Sequence, residues 1–451
     1  MHVRTLVAVS ALALLAACSG STPPPAPSAQ SYGANPPLPA PRKSGGLLPT
    51  IKVASVVGWG ADQAPTAPAG FVVTRFADGM DHPRWMHVLA NGDVLVSQAT
   101  TPRAGGLRGF IAGLIMGRAG ATGESPNNII LLRDSDGDGD VDARHTVLTG
   151  LNQPFGMAVV GNTLFVANTN EVLRFDYAPG ATSVSGPGQR IAELPFNEGN
   201  NGHWTRDLLV SRDGTKLYVT VGSVSNVPTD PEQSALERNR ATVLEMHLDG
   251  SGLRVFASGL RNPNGLAWEP TSGALWVNVN ERDELGDDLV PDYMTSVRDG
   301  AFYGWPYSYY GQNVDARVQP QNEELVERAI APDFALGAHT ASLGLAFYTA
   351  SAFPERYRGG AFVGQHGSWN RSAFAGYKVV FVPFANGRPS GDAEDFLTGF
   401  LNSDGEARGR PVGVALDRTG ALLVADDAGD TIWRVAPAMP AAAPVLAPPP
   451  T

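Results

Sequence analysis

Imidazole, guanidinium and amide side chains recur just ahead of short apolar runs in this chain: His82 and Arg84; Asn152 and Gln153; His203 and Arg206; Arg261, Asn262 and Asn264; His339; Arg408 and Arg410. Imidazoles move protons near neutrality, and guanidinium groups hold oxyanions through paired N–H donors. Brought to one axis, these positions make a pocket for an anion; left apart, they are solvated loop residues. The chain is acidic, with 44 Asp and Glu against 33 Lys and Arg and a formal charge of −11, so a basic pocket contrasts with its surroundings. The same acidity argues against nucleic acid and anionic membrane surfaces as partners, since both need basic patches. A second pattern is Asp134-Ser135-Asp136-Gly137-Asp138-Gly139-Asp140-Val141-Asp142. Alternating carboxylates with Gly at the sixth position suit an oxygen cage around calcium. The twelfth position is His145 rather than a bidentate Glu, and no helical pattern flanks the run. Asp134, Asp136, Asp138, Asp140 and Asp142 are therefore expected in a loop between strands, as a structural calcium site or as a solvated Asp-Gly turn.

The elements that position the first group are legible as repeats. A polar stretch, a short apolar strand, a turn and a second apolar strand occur six times, over 84–97, 154–168, 206–222, 264–278, 342–364 and 411–426. The turns include Asn91-Gly92, Gly161-Asn162, Asp213-Gly214 and Ser272-Gly273, pairs that favour tight hairpins because they tolerate positive φ. The spacing leaves room for two more strands in each unit, such as 171–177, 242–248, 377–383 and 431–435. Repeated four-stranded units predict an all-β fold, a six-bladed β-propeller of four-stranded antiparallel blades, whose closed ring protects the sheet edges. In a propeller the entrances to the inner strands converge at one mouth of the central channel. The 52 Gly and 36 Pro argue against a helical bundle, and a single Cys excludes a disulfide framework and a four-thiolate zinc site.

The ends read differently. Residues 1–18 form a short basic start and an apolar run, as in a bacterial secretory signal. The run ends Leu15-Ala16-Ala17-Cys18, which resembles the lipobox of bacterial lipoproteins and implies a lipid anchor on Cys18. Residues 19–68 are rich in Pro, Ala, Ser and Gly and are expected to be a disordered tether. The propeller is expected over 69–435, and 436–451 as a disordered Ala/Pro-rich tail. These readings place the chain on the periplasmic side of a bacterial membrane, with the outer membrane favoured and the anchor its only membrane contact.

The entrances also resemble the soluble glucose/sorbosone dehydrogenases that use pyrroloquinoline quinone (PQQ), in particular their sorbosone dehydrogenase-like and aldose sugar dehydrogenase branch. The motifs are Gly150-Leu151-Asn152-Gln153-Pro154-Phe155-Gly156, Gly259-Leu260-Arg261-Asn262-Pro263-Asn264-Gly265-Leu266, Tyr303-Gly304-Trp305-Pro306, Gly364-Gln365-His366-Gly367-Ser368-Trp369-Asn370-Arg371 and Gly409-Arg410-Pro411-Val412-Gly413-Val414-Ala415. The resemblance implies oxidation of an aldose or related aldehyde sugar by hydride transfer to the quinone, with a quinone or cytochrome as onward electron acceptor. It implies His203 as general base, Arg261 as the cation at the reacting carbonyl with Asn262 beside it, and Gln153 at the catalytic face. Arg408 and Arg410 would hold cofactor carboxylates, with Asp426 as an acidic partner. Calcium would bridge quinone and protein at the loop around Arg282 and Asp283. The family's cofactor-binding Lys has no counterpart here, and His366 or Arg371 stands in for it. Two other classes remain open at this stage: a calcium-dependent, lactonase-like propeller hydrolase, in which a metal rather than arginines dominates the channel, and a non-catalytic propeller that binds carbohydrate or protein.

Overall fold

The computed structural model describes residues 32–42, 51–101, 124–199 and 201–438. Over these residues the chain is a six-bladed β-propeller of four-stranded antiparallel blades. Blade 1 comprises Pro83–Val88, Val94–Gln98, Asn128–Arg133 and Ala143–Leu148. Blade 2 comprises Met157–Val160, Thr163–Ala167, Glu171–Asp176 and Ser185–Glu193, and blade 3 Leu208–Val210, Lys216–Val221, Thr242–His247 and Arg254–Ser258. Blade 4 is Asn262–Trp268, Leu275–Asn280, Pro291–Val297 and Phe334–Ala338, and blade 5 is Ser342–Phe347, Ala361–Gln365, Lys378–Val382 and Glu394–Leu397. Each repeat seen in the sequence supplies the two inner strands of one blade.

Blade 6 closes the ring. Its inner three strands, Pro411–Leu416, Leu422–Asp426 and Thr431–Pro437, come from the C-terminal end, and its outer strand is Phe71–Ala77. The closing pair runs antiparallel, with Val73 opposite Val435 and Arg75 opposite Trp433. Phe71 inserts between Phe353, Tyr357 and Phe396, with ring centroids 4.7, 5.5 and 5.3 Å away in edge-on geometry. Such pairs each contribute roughly 0.5–1.5 kcal/mol beyond area burial, so the closing N-terminal strand is also held by aromatic packing onto blade 5.

The inner strands approach one another too closely for ordinary side chains. A Cβ on Gly265 would stand 2.6 Å from Leu343 O and 2.7 Å from Leu345 N, both backbone atoms of blade 5. At the equivalent position blade 1 has Trp85 and blade 3 has Asp207, both buried. Burial pushes the Asp207 carboxyl up to about 7 although Leu208 N and Leu266 N both donate to it.

Three sequence expectations change. Residues 32–42 and 51–68, assigned by composition to the tether, lie against the propeller. Tyr32 and Gly33 pair with the outer strand of blade 4, Ala54 is buried in the core of blades 5 and 6, and Val56 and Thr66 bridge to Ala407 and Thr398. The Pro/Ala-rich run is punctuated by apolar residues large enough to bury. The last strand extends to Pro437, two residues into the expected tail. The 134–142 loop joins the outer two strands of blade 1 on the face opposite the channel mouth, against Arg418 and Arg434. Carboxylate oxygens of Asp134, Asp136 and Asp138 lie within 4.8 Å of one another, and Asp140 and Asp142 are not in that group. These side chains cap the loop's own amides, as from Asp134 to Gly137 N (2.7 Å) and from Asp142 to Ser135 N (2.6 Å). Cys18 and residues 1–18 lie outside the described residues.

Gly265→Ala should lower the melting temperature by several degrees, because overpacking against backbone costs roughly 1–3 kcal/mol. An unchanged melting curve would contradict the close approach of blades 4 and 5.

Candidate active site at the channel mouth

Antiparallel blades place the loops entering each inner strand, and those leaving each second strand, on one face. His203 lies in the loop before the inner strand of blade 3. Its Nδ1 is 2.8 Å from Ser223 O. A carbonyl oxygen can only accept, so Nδ1 carries the proton and Nε2 presents a free lone pair. The loop is pinned from below by the buried Arg206, which donates to His203 O and Thr205 O at 2.8 Å and to Pro195 O at 3.2 Å. Burial and the nearby Arg261 guanidinium hold the His203 imidazole down to about 3, so the ring is neutral across the physiological range.

Arg261 is clamped beside it. It donates to Glu281 O (2.7 Å) and Asn280 O (3.4 Å), to Asn226 O and Oδ1 (3.3 and 3.1 Å), and to Asp283 Oδ2 (3.3 Å). Asn262 donates to Asn280 Oδ1 at 3.3 Å, and its own Oδ1 is buried without a partner. Asp283 is a junction. Its Oδ1 faces His339 Nδ1 at 3.3 Å and accepts from Asn370 Nδ2. Although burial opposes ionisation, Arg261 and His339 draw its carboxyl down to about 2.

The adjacent Arg282 does not present its side chain here. The guanidinium is fully buried, donating to Glu281 Oε2 (3.0 Å), Asp315 Oδ2 (3.1 Å), Pro306 O (3.0 Å) and Ser308 O (2.6 Å). It anchors the loop, and only its main chain remains for a metal. Gln153 is also spent locally: its Nε2 donates to Thr100 O at 2.9 Å and its backbone N–H to Asn127 Oδ1 at 3.0 Å.

On the other side of the mouth, Arg410 donates through Nη2 to Tyr377 OH (3.0 Å), with its guanidinium 5.2 Å from that ring's centroid. Its Nε is buried without a partner. Arg408 lies over Trp59. His366 Nε2 faces both oxygens of Asp427, at 2.9 and 3.0 Å. Asp427 also pairs with Arg84, whose guanidinium is 5.3 Å from the Trp204 ring next to His203. Blade 1 is thereby joined to blades 6, 5 and 3. Arg371 reaches Asp288 at 2.9 Å and Ala338 O at 3.3 Å, nearer the rim.

Asp426 proves to be structural. Its Oδ1 accepts from Arg410 N (2.6 Å) and Gly429 N (2.8 Å), and its Oδ2 from the indoles of Trp59 (2.7 Å) and Trp433 (3.1 Å). No oxygen is left for a ligand. The mouth carboxylate is its neighbour Asp427, which the sequence reading missed. Successive residues at a strand end face opposite ways, so alternation along Leu422-Leu423-Val424-Ala425-Asp426-Asp427 could have found it. Asn226 and Asn370 were also missed, since a lone loop Asn carries no pattern.

Among the described residues, the arrangement gathers the guanidinium groups of Arg84, Arg261, Arg371, Arg408 and Arg410 with the carboxylates Asp283, Asp288 and Asp427 at one mouth. It can hold a polyanion and accept a proton at His203 Nε2. Because folding lowers the His203 pKa from its ordinary 6.5 to about 3, the unfolded chain binds the extra proton between those values. That contribution to stability is therefore present above pH 6.5 and is lost as pH falls. His203→Gln should lessen the acid sensitivity of unfolding, by up to about 2 kcal/mol at pH 5 relative to pH 7. Parallel urea-unfolding curves for the two proteins at both pH values would sink this reading of the ring.

A family model described as TrAA12-like matches residues 65–298 and 302–438. The aldose sugar dehydrogenase YliI of Escherichia coli is 32% identical over 185 residues, 38% of this chain and 45% of that one. A pyrroloquinoline quinone-dependent pyranose dehydrogenase of Coprinopsis cinerea is 24% identical over 355 residues, 70% of this chain and 44% of that one. The matched part is thus less than half of either protein. Among solved structures, the calcium structure of the Trichoderma reesei family AA12 carbohydrate-active enzyme has a TM-score of 0.66 at 21% identity, covering 86% of this chain and 99% of that one, and shares the fold. With both matched spans of the family model falling on the propeller and its closing strand, the chain belongs to the TrAA12-like family.

Proposed function

We propose that the protein is a quinoprotein sugar dehydrogenase that oxidises an aldose or related aldehyde sugar with PQQ and calcium. One observation carries the reading: a neutral histidine whose Nε2 no described residue engages, beside a clamped arginine, at a mouth where several guanidinium groups meet. The named relatives that act on sugars, one of them PQQ-dependent, support it. So does the donor chemistry. Among the described residues, buried Nε–H groups of Arg84, Arg371 and Arg410 lack partners, as suits a multiply charged anion. The mouth's carboxylates Asp427, Asp283 and Asp288 are tied to arginines, which favours anion binding over the metal-centred hydrolase.

When bound, the quinone supplies the two-electron acceptor that takes hydride from the sugar's C1. Arg408, Arg410, His366 and Arg371 would hold its carboxylates, and Arg261 with Asn262 would face its reacting edge. His203 Nε2 takes the proton of the anomeric hydroxyl, with Ser223 O fixing the ring through Nδ1. An anion next to Arg261 offsets the positive field that holds the imidazole so low, and so raises its basicity toward the useful range. Calcium fits only in part. Asp283 offers a carboxylate that Arg261 and His339 already neutralise, so a divalent ion held there needs further anionic oxygens from the bound ligand. We place the enzyme on the periplasmic side, held by a lipid on Cys18.

Purified protein given calcium and PQQ should reduce an artificial dye with aldoses. His203→Ala should lower kcat at least about a hundredfold, the usual share of a general base, while still binding PQQ. Equal turnover in that variant, or no dye reduction by the wild type with any sugar, would overturn the assignment. Cys18→Ser should move the protein from the membrane to the soluble fraction, and unchanged fractionation would exclude the anchor.

A further inference from the structure

Residues 51–60 precede the propeller in sequence yet lie on its mouth. Val57 N–H donates to Ala407 O and Ala407 N–H to Ser55 O, both at 2.8 Å, so this segment is stitched to the loop carrying Arg408 and Arg410. Lys52 N–H donates to Trp369 O at 2.8 Å, tying in the blade 5 loop that carries Asn370 and Arg371. Trp59 then turns inward. Its indole donates to Asp426 Oδ2 at 2.7 Å, shorter than the 3.1 Å bond from Trp433 to the same oxygen. The other oxygen of that carboxylate holds the backbone N–H of Arg410 at 2.6 Å. The Trp59 ring lies 6.0 Å from the Arg408 guanidinium and packs edge-on against Phe400 and Trp433, with centroids 5.4 and 5.1 Å away. There is little slack: a Cβ on Gly429 would come within 2.7 Å of Trp59 Cδ1.

We propose that Trp59 is a positioning residue for the anion-binding pair Arg408 and Arg410. Through Asp426 it fixes the backbone of Arg410, and through its ring it limits where the Arg408 guanidinium can stand. The proposal rests on the quinone reading of the mouth and makes the N-terminal segment part of that site. Burial pushes the Asp426 carboxyl up to about 6 despite its donors. A carboxylate in that setting depends on every hydrogen bond it has. With the Trp59 donor gone, Oδ2 keeps only Trp433, the group gains freedom to turn, and Arg410 N turns with it.

The test compares Trp59→Phe, which keeps an aromatic ring without the donor, with Trp59→His, which keeps an N–H on a smaller ring. Both are made in the full-length protein. PQQ is titrated with calcium present, and amide exchange of 398–412 is followed in the protein without added quinone. Trp59→Phe should raise the PQQ Kd about tenfold or more, the effect of one lost hydrogen bond to a charged acceptor. Trp59→His should stay within about threefold of wild type, because its donor is retained. A Trp59→Phe Kd equal to wild type, or tighter binding by Trp59→Phe than by Trp59→His, would show that only ring packing matters and would overturn the proposal. If Trp59→Phe does not fold, Trp59→His decides alone, and a tenfold loss in it counts against the proposal. If wild type takes up no PQQ, the functional assignment fails separately. The positioning claim is then read from exchange, which should be faster over 398–412 in Trp59→Phe than in Trp59→His; equal rates would refute it.

Discussion

Ring closure is the constraint on which the rest of the structure depends. Six twisted sheets surround one axis only if their inner strands come within backbone contact, as at Gly265 against Leu343 and Leu345. Close approach fixes the direction of each inner strand, and with it the point at which the preceding loops meet. Arg84, His366 and Asp427 are scattered over some three-quarters of the sequence, yet salt bridges join them around one opening, with Arg84 also over Trp204, the neighbour of His203. Local propensity has no access to such neighbours. The barrel-like closure that removes sheet edges also concentrates chemistry at the axis.

The electrostatics of the opening follow from how its few carboxylates are used. Asp427, Asp283 and Asp426 each hold a cation, a cation's backbone or an imidazole in a fixed place. Arg282 and Arg206 do comparable work beneath the surface, spending their donors mainly on carbonyls to shape the loops that carry Asp283 and His203. The guanidinium groups at the mouth are thereby oriented in advance and keep spare donors, and little solvent screening weakens them at buried and partly buried positions. An acidic protein can thus gather guanidinium groups at one mouth without a cationic surface.

Much of this was legible in the sequence. The turn pairs and apolar alternation located all six inner hairpins, because register and turn chemistry are local. His203 and Arg261 lie where strand entrances placed them. What failed was the choice between neighbours that differ only in facing. Asp426 and Asp427 differ by one residue at a strand end, and the indoles of Trp59 and Trp433, distant in sequence, decide which one is consumed. Arg282, taken with Asp283 for its main chain, has its side chain drawn into the core by Glu281 and Asp315. Composition misjudged 32–42 and 51–68, since a Pro-rich average hides single residues such as Ala54 and Trp59 that bury well.

The seam between Phe71–Ala77 and Thr431–Pro437 has a bearing on how the protein is made. Blade 6 needs strands from both ends of the chain, and the loop before it supplies Arg408 and Arg410. A chain still being synthesised has five blades' worth of sequence and an open edge, but no finished mouth. Assembly of the mouth is therefore tied to arrival of the last strand, and pairings this distant in sequence form late and slowly. A chain truncated before Thr431 would lose the seam and the site together. The protein carries a built-in proof of completeness, in which only an intact chain acquires the charge pattern that defines it.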